Sequence, residues 1–267
     1  MARDPVTPNP WQLLRRHTPA RIGLGRAGAS LPTAQQLDFQ AAHALARDAV
    51  HRPFDAAGVA AAIGALGLTT LSLHSAAPDR ATYLKRPDLG RRLSGASLGV
   101  LEAVATVDDG TRPDLAVVVA DGLSTLAVER HAAPFIGLLQ ATLGRDWRWA
   151  PVAVVQQARV AIGDPVGHAL AARCAVVLVG ERPGLSSPDS LGIYVTWAPR
   201  PGRTDAERNC ISNVRPEGLP LADAAARLAW LLREARTRQL TGVDLKDESQ
   251  PAVPPLDLAG SFLLGRP

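Results

Sequence analysis

Residues Ala175 to Asn213 read AVVLVGERPGLSSPDSLGIYVTWAPRPGRTDAERNCISN. An apolar run, Ala175 to Gly180, ends at the charged turn Glu181-Arg182-Pro183-Gly184. A second run, Leu191 to Trp197, ends in a polar loop that leads to Cys210. Short apolar runs bounded by Gly and Pro predict buried strands. Working outward, Leu115 to Ala120 (LAVVVA) and Pro151 to Val155 are further runs of the same kind. Helix-forming segments lie between them, one reaching about Leu143 and a short one from Asp164 and Pro165 through Ala172. The clearest helix is Leu221 to Arg238, where Leu221, Ala224, Ala225, Leu228, Leu231 and Leu232 share a face while Asp223, Arg227, Arg233 and Glu234 lie elsewhere. Apolar runs without polar alternation, spaced by helices, predict an α/β fold with a parallel sheet covered by helices on both faces.

The first half of the chain lacks this alternation. Residues 1–10 form a Pro-rich tail, and a short helix is expected from Trp11 to Arg16, ending before Pro19 because a residue preceding proline is pushed out of the α region. Thr33 and Gln36 have capping-box spacing at the head of a helix running to about Val50. A second helix covers Ala56 to Leu66, and Leu68 to His74 is a β-branched run suited to an edge strand. Tyr83 to Leu93 is a loop entering a helix that reaches about Thr106. The expected organisation is a flexible tail over 1–10, a mainly helical domain over 11–105, a sheet domain over 106–241, and an extended or disordered tail over 242–267 carrying Pro251, Pro254 and Pro255.

At 267 residues the chain has ample length to bury a core. The opening MARDPVTPNPWQLLRRH has no apolar h-region, which argues against a secretory signal. With Cys174 and Cys210 as the only cysteines, a disulfide framework is not expected and a reducing, cytoplasmic setting fits. The net charge of +4 comes from arginines scattered among acids, only Lys85 and Lys246 being lysine. A nucleic-acid binder would carry a dense basic stripe interleaved with aromatics, and the aromatic fraction is 4%. Gly23-Leu24-Gly25-Arg26-Ala27-Gly28 matches G-x-G-x-x-G, with Asp48 further along. The dinucleotide fingerprint needs a buried strand before it and a helix opening on it. Here Pro19 precedes and Pro32 follows, so a nucleotide-binding module is the weaker reading of the hexad.

In open α/β sheets, ligands sit outside the strand C-termini. The residues following each run are Asp121 with Ser124, Arg159 with Val160, Glu181 with Arg182, and the loop Thr204 to Asn213 with Cys210. Ser124 lacks the G-x-S-x-G elbow of a nucleophile. Cys210 close to Arg208 is either a thiol with a lowered pKa or a small packed residue. No P-loop, H-E-x-x-H or C-x-x-C is present. The rim is better suited to holding a ligand than to turning one over, and a free-standing small-molecule enzyme using Asp121, Glu181 and Cys210 stands as the alternative.

Five segments carry a resemblance: LRRHTPARIGLGRAG (Leu14 to Gly28), YLKRPDLGRRL (Tyr83 to Leu93), ADGLS (Ala120 to Ser124), VGERPGLSSPDSLGIY (Val179 to Tyr194) and DAERNCISNVRPEG (Asp205 to Gly218). Together they resemble the small (light) subunit of adenosylcobalamin-dependent ethanolamine ammonia-lyase. The resemblance implies a small N-terminal helical domain and a Rossmann-like C-terminal domain that closes over cobalamin bound to a barrel-shaped large subunit. It also implies a radical conversion of ethanolamine to acetaldehyde and ammonia, with substrate held by the large subunit. The positions matching the family's cofactor contacts are Val160, through its backbone amide, Glu181 and Cys210. No protein metal ligand and no catalytic residue is implied for this chain. None of the six histidines has Asp two residues before it, so cobalamin is expected base-on, keeping its own dimethylbenzimidazole as lower ligand. The arginine-rich stretch Arg15 to Arg26 is the segment expected to meet the large subunit. Members packed into a bacterial microcompartment begin with a longer amphipathic extension that has no counterpart here, and Leu256 to Pro267 also has no counterpart.

Overall fold

The computed structural model describes residues 5–105 and 112–249. The chain opens with a two-residue antiparallel pairing of β1 (Val6–Thr7) with β2 (Arg26–Ala27), between which Pro10–Arg16 forms a 3-10 helix. Helices α1 (Thr33–His51) and α2 (Ala56–Gly64) lead to strand β3 (Thr70–His74), and α3 (Arg80–Lys85) and α4 (Gly95–Ala105) follow. The chain continues with β4 (Leu115–Ala120), α5 (Thr125–Leu143), β5 (Val152–Gln156), α6 (Gly163–Ala169) and β6 (Cys174–Gly180). It closes with β7 (Leu191–Trp197), β8 (Arg208–Val214) and α7 (Leu221–Arg238).

Six strands form one sheet in the order β3-β5-β4-β6-β7-β8. β3, β5, β4 and β6 run parallel, whereas β7 is antiparallel to both β6 and β8. The sheet is therefore mixed, which corrects the expectation that all four apolar runs are parallel. The cause lies in the connection. Only ten residues separate Gly180 from Leu191, too few for a crossover, which needs a dozen or more. The Thr204 to Asn213 loop is also corrected, because from Arg208 onward it is β8. Its period is hidden by a register irregularity opposite Leu191 and Ile193, so that only Arg208, Ile211 and Val214 are buried.

Alternation along the strands feeds two cores. Leu115, Val117 and Val119 join Phe135, Leu139, Leu228 and Leu232 on the α5/α7 face. Ala116, Val118 and Ala120 meet Leu101, Ile162 and Val166 on the α4/α6 face. Val59 and Ile63 of α2 pack into the first core and β3 pairs with β5, so residues 56–74 are built onto the sheet. Each fully buried Leu contributes about 1.5–3 kcal/mol relative to exposure.

Local signals explain most ends. Ser124 caps α5 by accepting the Ala127 N–H at 3.2 Å, and Gly144 stops the helix with φ +72°. The capping box expected at Thr33 does not form, since Pro32 is the cap residue and no side chain bonds there. Such a box does form at Thr204 and Glu207. Tyr83 to Lys85, expected in a loop, complete α3, which Asp79 caps at Thr82 N–H. Beyond α7, Gly242–Asp244 makes a 3-10 turn and Leu245 is buried, with Asn209 Nδ2 donating to the Leu245 carbonyl at 2.7 Å. The remainder of the expected C-terminal tail, from residue 250, lies outside the described residues. Among the described residues no helix is long and apolar enough to cross a membrane.

Candidate functional site

The chain leaves β4 for β5 on one side and returns past β4 to β6 on the other. That reversal is a topological switch point, where the loops after two parallel strands part in opposite directions. The loops after β4 and β6 do part there. A cavity of about 420 Å³ opens at this place, lined among others by Gly122, Leu123, Arg159, Val160, Gly180, Glu181, Arg182 and Tyr194.

Two glycines set its floor. Gly122 has φ +58°, and a Cβ on it would collide with the backbone of Gly180; a Cβ on Gly180 would collide with the carbonyl of Ser124. Leu123 N–H donates to the Gly180 carbonyl at 2.8 Å, so the two loops are joined backbone to backbone.

Asp121 lies beneath, fully buried, accepting the N–H groups of Gln157 at 3.0 Å and Ala158 at 2.9 Å. It thereby pins the loop after β5 to the loop after β4. Burial pushes its pKa above the ordinary carboxylate range, opposed by the Ala158 amide and by Arg80. Arg80 lies 3.5 Å from Asp121 and donates to the carbonyls of Gly122, Leu123 and Val50. Tyr83 is sandwiched between guanidinium groups, Arg80 at 4.8 Å and Arg159 at 4.4 Å from its ring, and its hydroxyl donates to the Ala158 carbonyl. Burial raises the phenol pKa well above its usual value, so Tyr83 stays neutral. Sequence reasoning named Asp121 but missed Arg80 and Tyr83. Their signal, an exposed-looking Arg three residues before a Tyr, has no pattern of its own.

Val160 begins the 3-10 turn Val160–Ile162, so its N–H has no acceptor within that turn. The turn is fixed by the preceding Arg159 N–H, which donates to the Gly90 carbonyl at 2.8 Å. Glu181, half-buried, takes the Ser190 hydroxyl and the Asn213 backbone N–H, at 3.2 Å, on its Oε2. Cys210 does not line the cavity. It stands exposed on β8, paired with Tyr194, whose ring does line it. Burial first, then hydrogen bonding with Cys210 and the charge of Glu181, raise the Tyr194 pKa.

The structure thus brings Val160 and Glu181 into one cavity and puts Cys210 one strand away. Arg208 is not available to the Cys210 thiol. Its guanidinium is buried and bonded to both oxygens of Asp164, at 2.6 and 2.7 Å, to Thr196 and to the Arg203 carbonyl. Ser124 is engaged as a cap and as donor to the Pro188 carbonyl. The other cysteine, Cys174, is buried in β6, and burial raises its pKa to about 12.

The glycine hexad is elsewhere. A Cβ on Gly23 would meet Gln12 N at 2.7 Å, and one on Gly25 would meet the Thr7 carbonyl at 2.8 Å. Both adopt positive φ so that residues 23–26 can fold back on residues 7–12. Among the described residues no buried strand precedes the hexad, and the next helix starts only at Thr33.

The family model of the ethanolamine ammonia-lyase light chain (EutC) matches residues 8–246. The ethanolamine ammonia-lyase small subunit of Azotobacter vinelandii is 59% identical over 268 residues, covering 98% of each chain. That of Ralstonia nicotianae is 60% identical over 261 residues, covering 97% of this chain and 96% of its own length. The Pseudomonas aeruginosa small subunit is 58% identical over 268 residues, covering 98% and 97%. A match of this extent, over a cavity at the sheet's switch point, means that the chain belongs to the ethanolamine ammonia-lyase light-chain family.

Proposed function

We propose that the chain completes the adenosylcobalamin site of a two-subunit ethanolamine ammonia-lyase, with Val160, Glu181 and Cys210 as its contacts to a base-on cofactor. The observation that carries this reading is that Val160 and Glu181, on loops after different strands, line one cavity at the switch point. The residues there fit a large amide-bearing group. Gly122 and Gly180, which line the cavity without side chains, leave main chain on its wall for a ligand to meet. Arg159 Nε is buried without a hydrogen-bond partner, a donor awaiting an acceptor.

When bound, the cofactor supplies a radical through homolysis of its cobalt–carbon bond, which starts the conversion of ethanolamine to acetaldehyde and ammonia. This chain's part is to bind and to orient. Val160 offers a backbone N–H held by the Arg159–Gly90 bond. Glu181 offers a carboxylate for carboxamide donors, its Oε2 already fixed by Ser190 and Asn213. Cys210 offers a contact beyond Tyr194, and the neutral rings of Tyr83 and Tyr194 help keep water from the cavity wall.

Co-expression with the large subunit tests the reading. The pair is expected to co-purify and to deaminate ethanolamine once adenosylcobalamin is added, while the isolated chain is inactive. Turnover of a substrate by the isolated chain, or no activity from the pair, overturns it.

A further inference from the structure

The first fifth of the described chain contributes almost nothing to the core. Of residues 5–48 only Pro32 is buried. Trp11 and Leu13 are 65% and 66% exposed, and Leu31, Leu37, Phe39 and Leu45 are exposed with them. An isolated apolar residue at a surface needs no explanation, but Trp11 and Leu13 line one pocket together with Pro10 and Leu14 and so form a patch.

The arm is nevertheless built. β1 pairs with β2, Asn9 caps the 3-10 helix by accepting the Trp11 N–H, and Gly23 and Gly25 let the backbone close on residues 7–12. The 3-10 helix presents a pocket of about 430 Å³ lined by Trp11, Leu13 and Leu14, with Arg16 and His17 at its side. Its charge has one sign. Between residues 5 and 32 there are four arginines, Arg15, Arg16, Arg21 and Arg26, and no acidic residue. Among the described residues none of the four has a carboxylate within ion-pair distance, although arginines elsewhere, among them Arg52, Arg130 and Arg208, do.

We infer that this arm, residues 5–31, is the surface on which the large subunit docks, and that the partner offers it an apolar knob ringed by carboxylates. The inference rests on membership in a two-subunit enzyme. A second copy of the chain suits the arm poorly, because self-complementary pairing would set the four arginines against their own copies. The glycine hexad then serves to shape a docking arm and holds no ligand.

The test compares wild-type chain, Trp11→Ala with Leu13→Ala, and Arg15→Glu with Arg16→Glu, Arg21→Glu and Arg26→Glu, each co-expressed with a tagged large subunit. Both variants are expected to keep the circular dichroism and melting temperature of the wild-type chain, since they touch no core. The apolar variant should weaken the complex by at least about tenfold, the scale of an aromatic anchor. The charge-reversed variant should weaken it at least as much, and its residual binding should strengthen with added salt where wild-type binding weakens. If folded variants of both kinds co-purify like wild type, the inference fails while the subunit reading stands. It also fails if the isolated chain is a dimer that the same substitutions dissociate. If wild-type chain itself does not co-purify, the subunit reading falls and the docking arm with it.

Discussion

Asn213 donates its backbone N–H to Glu181 Oε2 at 3.2 Å, a bond that joins the end of β6 to β8 across the intervening β7. Glu181 is therefore held by the strand after next, and its carboxylate has a fixed position before any ligand arrives. Asn213 reaches it in a left-handed conformation, φ +58°, beside the irregularity in β8.

Replacing Glu181 by Ala removes the acceptor and frees Ser190 and Asn213. In the two-subunit enzyme this is expected to weaken adenosylcobalamin binding about tenfold or more, as for loss of a hydrogen bond to a charged group. Titration followed by the cofactor's visible absorption measures it. The isolated variant should keep wild-type circular dichroism; unchanged affinity would remove Glu181 from the site.

Gly180→Ala should cost stability before it costs binding. The added methyl collides with the Ser124 carbonyl, and backbone cannot step aside as a flexible side chain can. Overpacking of this kind destabilises by about 1–3 kcal/mol. Urea denaturation gives the number, and a midpoint equal to wild type would show that the two loops can separate freely.

Asp164 and Arg208 form a bidentate ion pair with side chains only 3% and 2% exposed. Burial opposes the charge on Arg208, but the hydrogen bonds and charges of Asp164 and Asp205 together outweigh it and raise its pKa. Asp164→Asn leaves the buried guanidinium with only the exposed carboxylate of Asp205, at 3.4 Å, as counter-charge, at a cost of about 3–5 kcal/mol. A much smaller loss in thermal or chemical unfolding would mean that water reaches this pair. The change should leave the cavity residues in place, because neither partner lines it.

His131 carries a pH signature. It sits mostly buried in α5, 3.6 Å from Asp189, and burial lowers its pKa below the ordinary 6.5 despite the attraction of Asp189, with Arg130 pushing the same way as burial and Glu217 opposing. The unfolded chain then binds a proton more readily than the folded one. Its contribution to stability is fully present above about pH 6.5 and is lost as the pH falls through the folded-state value. Melting temperatures between pH 8 and 5 should fall more steeply for the wild type than for His131→Gln. Parallel curves would assign the acid limb to other groups.

Much of the fold is written locally. Leu115 to Ala120, Leu191 to Trp197 and Leu221 to Arg238 have the bounds that composition and period predict, because each is an unbroken apolar run or a strong helical stripe. Strand direction is not local. The antiparallel course of β7 follows from the brevity of the 181–190 turn, and reading its run alone gives no orientation. β8 was hidden because an edge strand with one solvated face and a bulge looks like polar loop.

The candidate site was legible in part. Strand-end logic found Asp121, Val160 and Glu181, which follow parallel strands within four residues. It reached Cys210 through a mistaken premise, since the residue lies within β8 and not after β7. Arg80 and Tyr83 were invisible because they come from α3, some forty residues before Asp121, and only folding brings them over the loop after β4.

The Gly122–Gly180 contact has one more implication. Since main chain meets main chain there, the spacing between the two loops is set by atoms that every amino acid shares. Substitutions at Glu181 or Arg182 can change what the cavity prefers while the spacing of these two loops stays constant. Shape and preference are thus separable properties of this site, and each can drift or be engineered without disturbing the other.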